Sequence, residues 1–248
     1  MENTMLQAMR RYFDNQHERD DWVKSRLAEL PAGSKLLDAG AGSQKYRPFC
    51  GHLDYRAQDF GGVTTDAQEG FAGLTETYTY GELDYVGNIW AIEENDGTFD
   101  AILCTEVFEH IPYPNDTLRE FSRLLRPGGT LILTAPFASL RHMDPYFFYT
   151  GFSDRWYEQL LPDCGFTPKA IIPSGNYHRS IAVELFRTMR VGSPIGALLR
   201  VPVLLPALAY YYLRSLRPTR QSIASLVGGY FVLAEKRDVT PGGETGVE

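Results

Sequence analysis

Cysteine is scarce in this chain. Among 248 residues there are three, Cys50, Cys104 and Cys164, far apart and without a C-x-x-C pair. That spacing argues against a disulfide framework and a cysteine zinc site, and it fits a reducing compartment. Net positive charge is also lacking. The formal charge is −7, which disfavours a nucleic-acid acceptor. The N-terminus has no apolar run of the signal-peptide kind. No uncharged run reaches the roughly 20 residues that cross a bilayer. His17, His52 and His178 show no ligand spacing, so no metal is expected. A cytoplasmic protein is the expectation. The hydrophobic fraction, 44%, is enough for a substantial core, and the length suits one α/β domain with an elaboration, or at most two small domains.

The chain is organised around Lys35-Leu36-Leu37-Asp38-Ala39-Gly40-Ala41-Gly42, a buried strand running into a glycine turn. Gly40 and Gly42 allow a sharp turn and close approach of a ligand to the backbone. A dinucleotide fingerprint needs a third glycine three residues after the second, where Lys45 stands. Nor is any tyrosine followed four positions later by lysine, so a nicotinamide-dependent reductase or epimerase is disfavoured. Upstream, Met5 to Leu30 reads as two helices broken near Asn15, with Trp22, Val23, Leu27 and Leu30 at helical spacing. They form a helical cap, residues 1–34. Either this cap covers the sheet, or Tyr12 and Phe13 belong to a lid over the cofactor.

Gln44 to Cys50 reads as a short helix interrupted at Pro48. Leu53 to Phe60 alternates like a second strand. Asp59 ends it, seventeen positions after Gly42, a distance at which a carboxylate can accept both hydroxyls of a ribose lying across the strand ends. The alternative is an ordinary turn aspartate before Gly61-Gly62. Gly61 to Gly81 reads as a long loop whose aromatics, Phe71, Tyr78 and Tyr80, either cover a substrate or pin the loop to the core. Leu83 to Ile89 is a third strand and Thr98 to Thr105 a fourth. Asp116 to Leu125 is an amphipathic helix, and Arg126-Pro127-Gly128-Gly129 is a turn into a fifth strand, Thr130 to Ala135. Ser153 caps a helix from Asp154 to Leu161 that Gly165 ends. Lys169 to Ile172 is a sixth strand, Gly229 to Ala234 a seventh.

Asp38 with G-x-G, the strand-end Asp59, the Glu106-Val107-Phe108-Glu109-His110 run and the R-P-G-G turn together resemble the class I S-adenosylmethionine-dependent methyltransferases. The branch they resemble is the type 11, small-molecule one. Arg141-His142-Met143-Asp144-Pro145-Tyr146 is similar to a segment of members encoded with surface-polysaccharide enzymes. The resemblance implies an α/β, Rossmann-like seven-stranded sheet with an antiparallel last strand. It also implies S-adenosylmethionine as cofactor. Its binding would fall to Asp38, Gly40, Ala41, Gly42, Asp59, Phe60, Asn88, Ile89, Thr105 and Glu106. Asn88 departs from the aspartate common at that position but can still pair with an adenine edge. The acceptor is expected to be a small molecule or glycan, methylated on oxygen. His110 and His142 are candidate bases, since imidazole titrates near physiological pH; His110 could equally be a structural loop histidine. Tyr146 and Tyr149 line the acceptor pocket or fill core. A regulatory or assembly protein that binds the cofactor without turnover is the alternative.

The last two strands of this fold normally form a close pair, yet about fifty residues separate them here. Leu185 to Ala234 holds no acidic residue and six arginines, Arg187, Arg190, Arg200, Arg214, Arg217 and Arg220. The uncharged run Val201 to Leu213 between two of them is too short to span a membrane. Apolar residues and tyrosines flanked by arginines suit an interfacial segment beside anionic lipid. The alternative is packing on the domain or on a second subunit. The reading is therefore a core of residues 35–175 and 221–236, a basic and apolar insertion at 176–220 whose residues 187–220 either make peripheral contact with the inner membrane face or pack on the domain or a second subunit, and a disordered tail at 237–248.

Overall fold

The structure, a computed structural model, describes residues 12–13, 15–62 and 79–238. Phe71, Tyr78 and all but the first two residues of the expected tail lie outside them.

Seven strands form one sheet. β1 (Lys35–Ala39), β2 (Asp54–Asp59), β3 (Tyr85–Val86), β4 (Phe99–Thr105) and β5 (Leu125–Pro136) run parallel. β6 (Phe166–Ser174) and β7 (Gly229–Lys236) complete it in the order β3-β2-β1-β4-β5-β7-β6, with β7 antiparallel to both neighbours. This is the Rossmann-like class I methyltransferase sheet. Reversal of order at β1 and β4 opens a crevice at the carboxyl ends of the strands.

Local chemistry explains the elements. β1 and β4 carry apolar side chains to both faces, and Leu36, Leu37, Ala101, Ile102, Leu103 and Cys104 are fully buried, as expected of strands sandwiched between helices. Helix α1 (Asn15–Glu29) lays Val23 and Leu27 on one face of the sheet, and its Trp22 stacks on Phe231 of β7. Helix α2 (Pro114–Leu124) opens on a proline, whose missing N–H is no loss in the first turn, and buries Leu118, Phe121 and Leu124 on the other face. Helix α3 (Asp154–Asp163) is capped by Ser153, whose hydroxyl accepts from the Trp156 N–H; Gly165 follows it in the left-handed region.

Four local expectations differ. Gln44 to Cys50 forms only a 3₁₀ turn, Arg47–Phe49. The third strand shortens to two residues, because its pairing partner β2 ends at Asp59. Arg126 to Gly129 is not a turn before the strand but a bulge inside β5: Phe99 pairs with Leu125 and Ala101 with Thr130. Arg126 pins the bulge to Asp100 at 2.5 Å. The sixth strand is longer at both ends, drawn out by its pairing with β7.

The insertion is helical. α4 (Tyr177–Arg190) is capped by Asn176, which accepts from the His178 and Arg179 N–H groups. It packs on α5 (Pro194–Ser215), followed by a short α6 (Arg220–Ser225). Arg200 folds back to the Thr188 and Val191 carbonyls at the end of α4, matching cation to helix C-terminus. The estimate that this segment is too short to span a membrane counted an uncharged run. The helix that forms is 22 residues long, and Ile195–Ser215 is long and apolar enough to cross a membrane by length and composition. Only 6% of its apolar window is buried in the protein, although α4 packs along it and Tyr12 and Asn176 hold its C-terminal end. Tyr12 and Phe13 are committed to this insertion: Tyr12 bonds Ser215, and Phe13 stacks on Phe186 at 4.4 Å.

Candidate active site

The glycine turn leaves β1 at the crevice. Gly40 and Gly42 have φ +74° and +51°, a region costly for residues with a Cβ. A Cβ on Gly40 would collide with the side chain of Val107, so the turn lies directly against the segment that follows β4. The Gly40 and Ala41 N–H groups donate to the Gln58 carbonyl, each at 2.9 Å. Gly42 N–H donates to Asp59 Oδ2 at 2.8 Å.

Two carboxylates sit under this turn. Asp38 is buried and receives the Tyr55 hydroxyl at 2.6 Å. Burial pushes its pKa up to about 7, against the Tyr55 hydrogen bond and with help from Asp59. Asp59 is buried too; it accepts from the Gly42, Phe60 and Gly61 N–H groups and from the Tyr80 hydroxyl. Its pKa is raised as well, chiefly by desolvation, with those hydrogen bonds opposing. Gly87 N–H bonds the Asp59 carbonyl at 3.0 Å, and Gln58 Nε2 bonds Gly87 O at 2.7 Å. This clamp carries the exposed Asn88 and the buried Ile89 beside Asp59.

Past β4, Glu106 has φ +53°. Its carboxylate accepts from Thr134 Oγ1 at 2.9 Å and pairs with Arg19 of α1 at 3.0 Å. Thr105 ends the strand, level with Thr134. The 3₁₀ turn Phe108–His110 then buries Glu109 and positions His110. The segment after β5 returns to this place: the Phe148 and Tyr149 N–H groups donate to the Glu109 carbonyl, and His110 Nδ1–H donates to Tyr146 O at 2.7 Å. His142 Nδ1–H donates to Leu140 O at 2.8 Å. The two imidazoles thus meet edge to face, with centroids 4.7 Å apart. Burial lowers His110 to a pKa of about 4. Burial, with Glu106 nearby, raises Glu109 well above the carboxylate range.

The candidate residues therefore form two adjoining groups. Asp38, the glycine turn, Asp59, Asn88 and Ile89 make one; His110, His142 and Tyr146 make the other. They touch where the Phe60 and Tyr146 rings meet at 5.8 Å. Tyr149 stands apart. Its hydroxyl bonds Pro112 O, and it lines an open cavity of about 650 Å³ with Tyr113, Arg119, Phe137 and Trp156. Glu106 is turned toward Arg19 and Thr134. Sequence reading missed Arg19, Gln58 and Glu109; nothing in the local pattern marks the first two, and Glu109 was visible only as a neighbour of His110. The expectation of no metal rests on the spacing of His17, His52 and His178. Folding instead brings one donor atom each of Glu109, His110 and His142 within 4.8 Å of one another.

A family profile described as "Methyltransferase domain" matches residues 9–169. A ubiquinone biosynthesis O-methyltransferase of Xanthomonas campestris is 33% identical over 125 residues, 47% of this chain and 48% of that protein. The chain spans about half the length of the curated relatives it matches. Among solved structures, geranyl diphosphate methyltransferase in complex with SAM superposes with a TM-score of 0.51 at 15% identity, covering 89% of this chain and 85% of the other. The YcgJ protein of Bacillus subtilis gives 0.51 at 12% identity, covering 90% and 99%. At such identities these two show the shared fold.

Proposed function

The chain belongs to the methyltransferase domain family and uses S-adenosylmethionine, and from that premise we propose that it methylates a hydroxyl oxygen of a small or glycan-like acceptor held against His110 and His142. One observation carries this reading: the contact between the glycine-turn group and the two-histidine group across Phe60 and Tyr146.

The first group fits the cofactor. Asp38 is a buried carboxylate whose pKa is raised by desolvation and by Asp59, and an ammonium group is what it would hold. Asp59 would accept ribose hydroxyls in place of the Tyr80 hydroxyl and the 3.5 Å contact from Gly61 N–H, Asn88 offers an amide to an adenine edge, and Ile89 and Phe60 offer apolar surface. The sulfonium supplies an electrophilic methyl group. The oxygen lone pair forms the new O–C bond, the C–S bond breaks toward sulfur, and the hydroxyl proton must depart. His110 and His142 are what this chain provides for that proton. Alignment at about 3–3.5 Å supplies roughly 7–11 kcal/mol, whereas a base gives 10²–10⁴-fold, about 3–5 kcal/mol. Orientation by Tyr146 and the loop bonded to Glu109 is accordingly the larger contribution.

The acceptor is reached, on this reading, from an anionic lipid surface on the cytoplasmic side. Ile195, Leu198, Leu199 and Val203 are 71–74% exposed and recur along α5 at helical spacing. Arg214 in its last turn and Arg217 and Arg220 beyond it are exposed and without an ion pair among the described residues. Apolar side chains and unpaired guanidinium groups together match lipid tails and anionic headgroups. We assign residues 1–34 as cap, 35–175 and 221–236 as catalytic core, and 176–220 as the membrane-facing insertion. The test is release of S-adenosylhomocysteine by the full chain, given separately the membrane lipids and the soluble metabolites of its source. Turnover with lipids alone supports a lipid-borne acceptor. Turnover with soluble metabolites alone removes the membrane from the reading, and cofactor binding without turnover on either removes the enzyme.

A further inference from the structure

We propose that Glu109, His110 and His142 bind a divalent first-row transition-metal ion at the acceptor edge. The three donors come from two segments distant in sequence, the turn after β4 and the loop after β5, and lie within 4.8 Å of one another. Two imidazoles and one carboxylate are a ligand set for such ions, with positions left open.

Two further observations point to a cation. Glu109 Oε2 is buried with no hydrogen-bond partner, a costly state for a carboxylate. Each imidazole also has its orientation fixed by the backbone. His110 Nδ1–H is held by Tyr146 O, and His142 Nδ1–H by Leu140 O. Each Nε2 is left as a lone pair, the arrangement that outer-shell carbonyls give to metal-ligating histidines. His110 Nε2 faces Glu109 Oε1 at 3.6 Å, beyond hydrogen-bond reach, and a cation between them engages both. Donors on one ion at about 2.1 Å sit roughly 3–3.5 Å apart. The widest donor pair must therefore close by up to about 1.3–1.8 Å, and His142, on a loop outside any helix or strand, is the ligand placed to do so.

The role assigned to the ion rests on the methyl-transfer reading; its binding does not. An acceptor hydroxyl entering an open position loses its proton to water because the cation lowers the oxygen's pKa. The resulting alkoxide then attacks the methyl carbon as the C–S bond breaks. With the ion bound, His110 and His142 act on the acceptor through it and no longer as the base that takes the hydroxyl proton, their Nε2 lone pairs being engaged.

The experiment uses the full chain stripped with chelator and titrated with Co²⁺ and with Zn²⁺. Binding is followed by the visible absorption of bound Co²⁺ and by equilibrium dialysis. One equivalent per chain is expected, with affinity falling at least tenfold in His142→Ala, a loop substitution that spares the core, and unchanged in His52→Ala. S-adenosylmethionine affinity should not differ between wild type and His142→Ala. Wild type binding no tighter than His142→Ala overturns the proposal. Methyl transfer assayed on the same preparations separates the two claims. Full turnover by stripped enzyme removes the ion's role while leaving the methyltransferase reading intact.

Discussion

The carboxyl edge of the sheet and the helical insertion are built on opposite terms. At the edge every position is spoken for. Gly40 has no room for a Cβ because Val107 fills it, and Asp59 accepts from three backbone N–H groups and a tyrosine. Along α5, by contrast, isoleucine, leucine and valine stand in the open, and the helix is tied down mainly at its ends. Arg200 bonds back to α4, and Ser215 O accepts from Asn176. A site that must orient a reacting atom needs over-determined geometry; a surface that meets lipid needs exposed apolar area and charge.

The sharpest break of this contrast is a pair of identical truncations. Leu103→Ala in β4, where the side chain is fully buried, should cost about 2–5 kcal/mol in urea unfolding. Leu199→Ala in α5, 74% exposed, should stay within about 0.5 kcal/mol. Equal losses would mean that α5 is covered in the molecule that folds.

A pH test comes next in size. Asp38 faces Tyr55, Asp59, Cys50 and Cys104, none of them a cation. Its folded pKa of about 7 lies above the ordinary 3.8, so over that window the native state binds more protons than the unfolded chain. Its share of stability is full below about 3.8 and declines as pH rises through about 7, by up to about 4 kcal/mol. Asp38→Asn should flatten that decline, and parallel pH–stability curves for wild type and variant would refute it. S-adenosylmethionine affinity of the wild type should rise as pH rises toward about 7, because the ammonium group selects the carboxylate.

Asp59→Ala should weaken S-adenosylmethionine roughly 10–100-fold by calorimetry, since hydrogen bonds to a charged group contribute about 1.5–3 kcal/mol. An unchanged affinity would remove Asp59 from the cofactor site. The smallest expected effect lies in the insertion. Arg217→Ala should lose binding to phosphatidylglycerol vesicles by about 1 kcal/mol. Its melting temperature should barely move. Equal sedimentation of wild type and variant with phosphatidylglycerol and phosphatidylcholine vesicles would end the lipid reading and leave a second copy of the chain as the occupant of α5.

Much of this was legible in the order of residues. The apolar runs Leu36–Leu37 and Ala101–Cys104, the glycines at 40 and 42, the acid at 59 and the proline-led helix at 114 are local signals with local causes. They determined a mainly parallel α/β sheet and the edge at which the candidate site lies. The bulge at 126–129 was misread as a turn because glycine and proline announce irregular backbone without saying whether a strand continues through it; pairing with β4 decided that. The length of α5 was misread because a run was counted between arginines, while a helix carries Arg200 back onto the end of α4 and passes through it. The meeting of Glu109 and His110 with His142 lies beyond any spacing rule. It depends on two loops that the sheet order β4-β5 brings side by side and on carbonyls that turn both imidazoles inward. Sequence by itself determined most of the elements and the glycine turn at the proposed cofactor edge, since each rests on neighbours along the chain. Tertiary structure alone decided the triad and the exposed face of α5, because burial and convergence are properties of what packs against what.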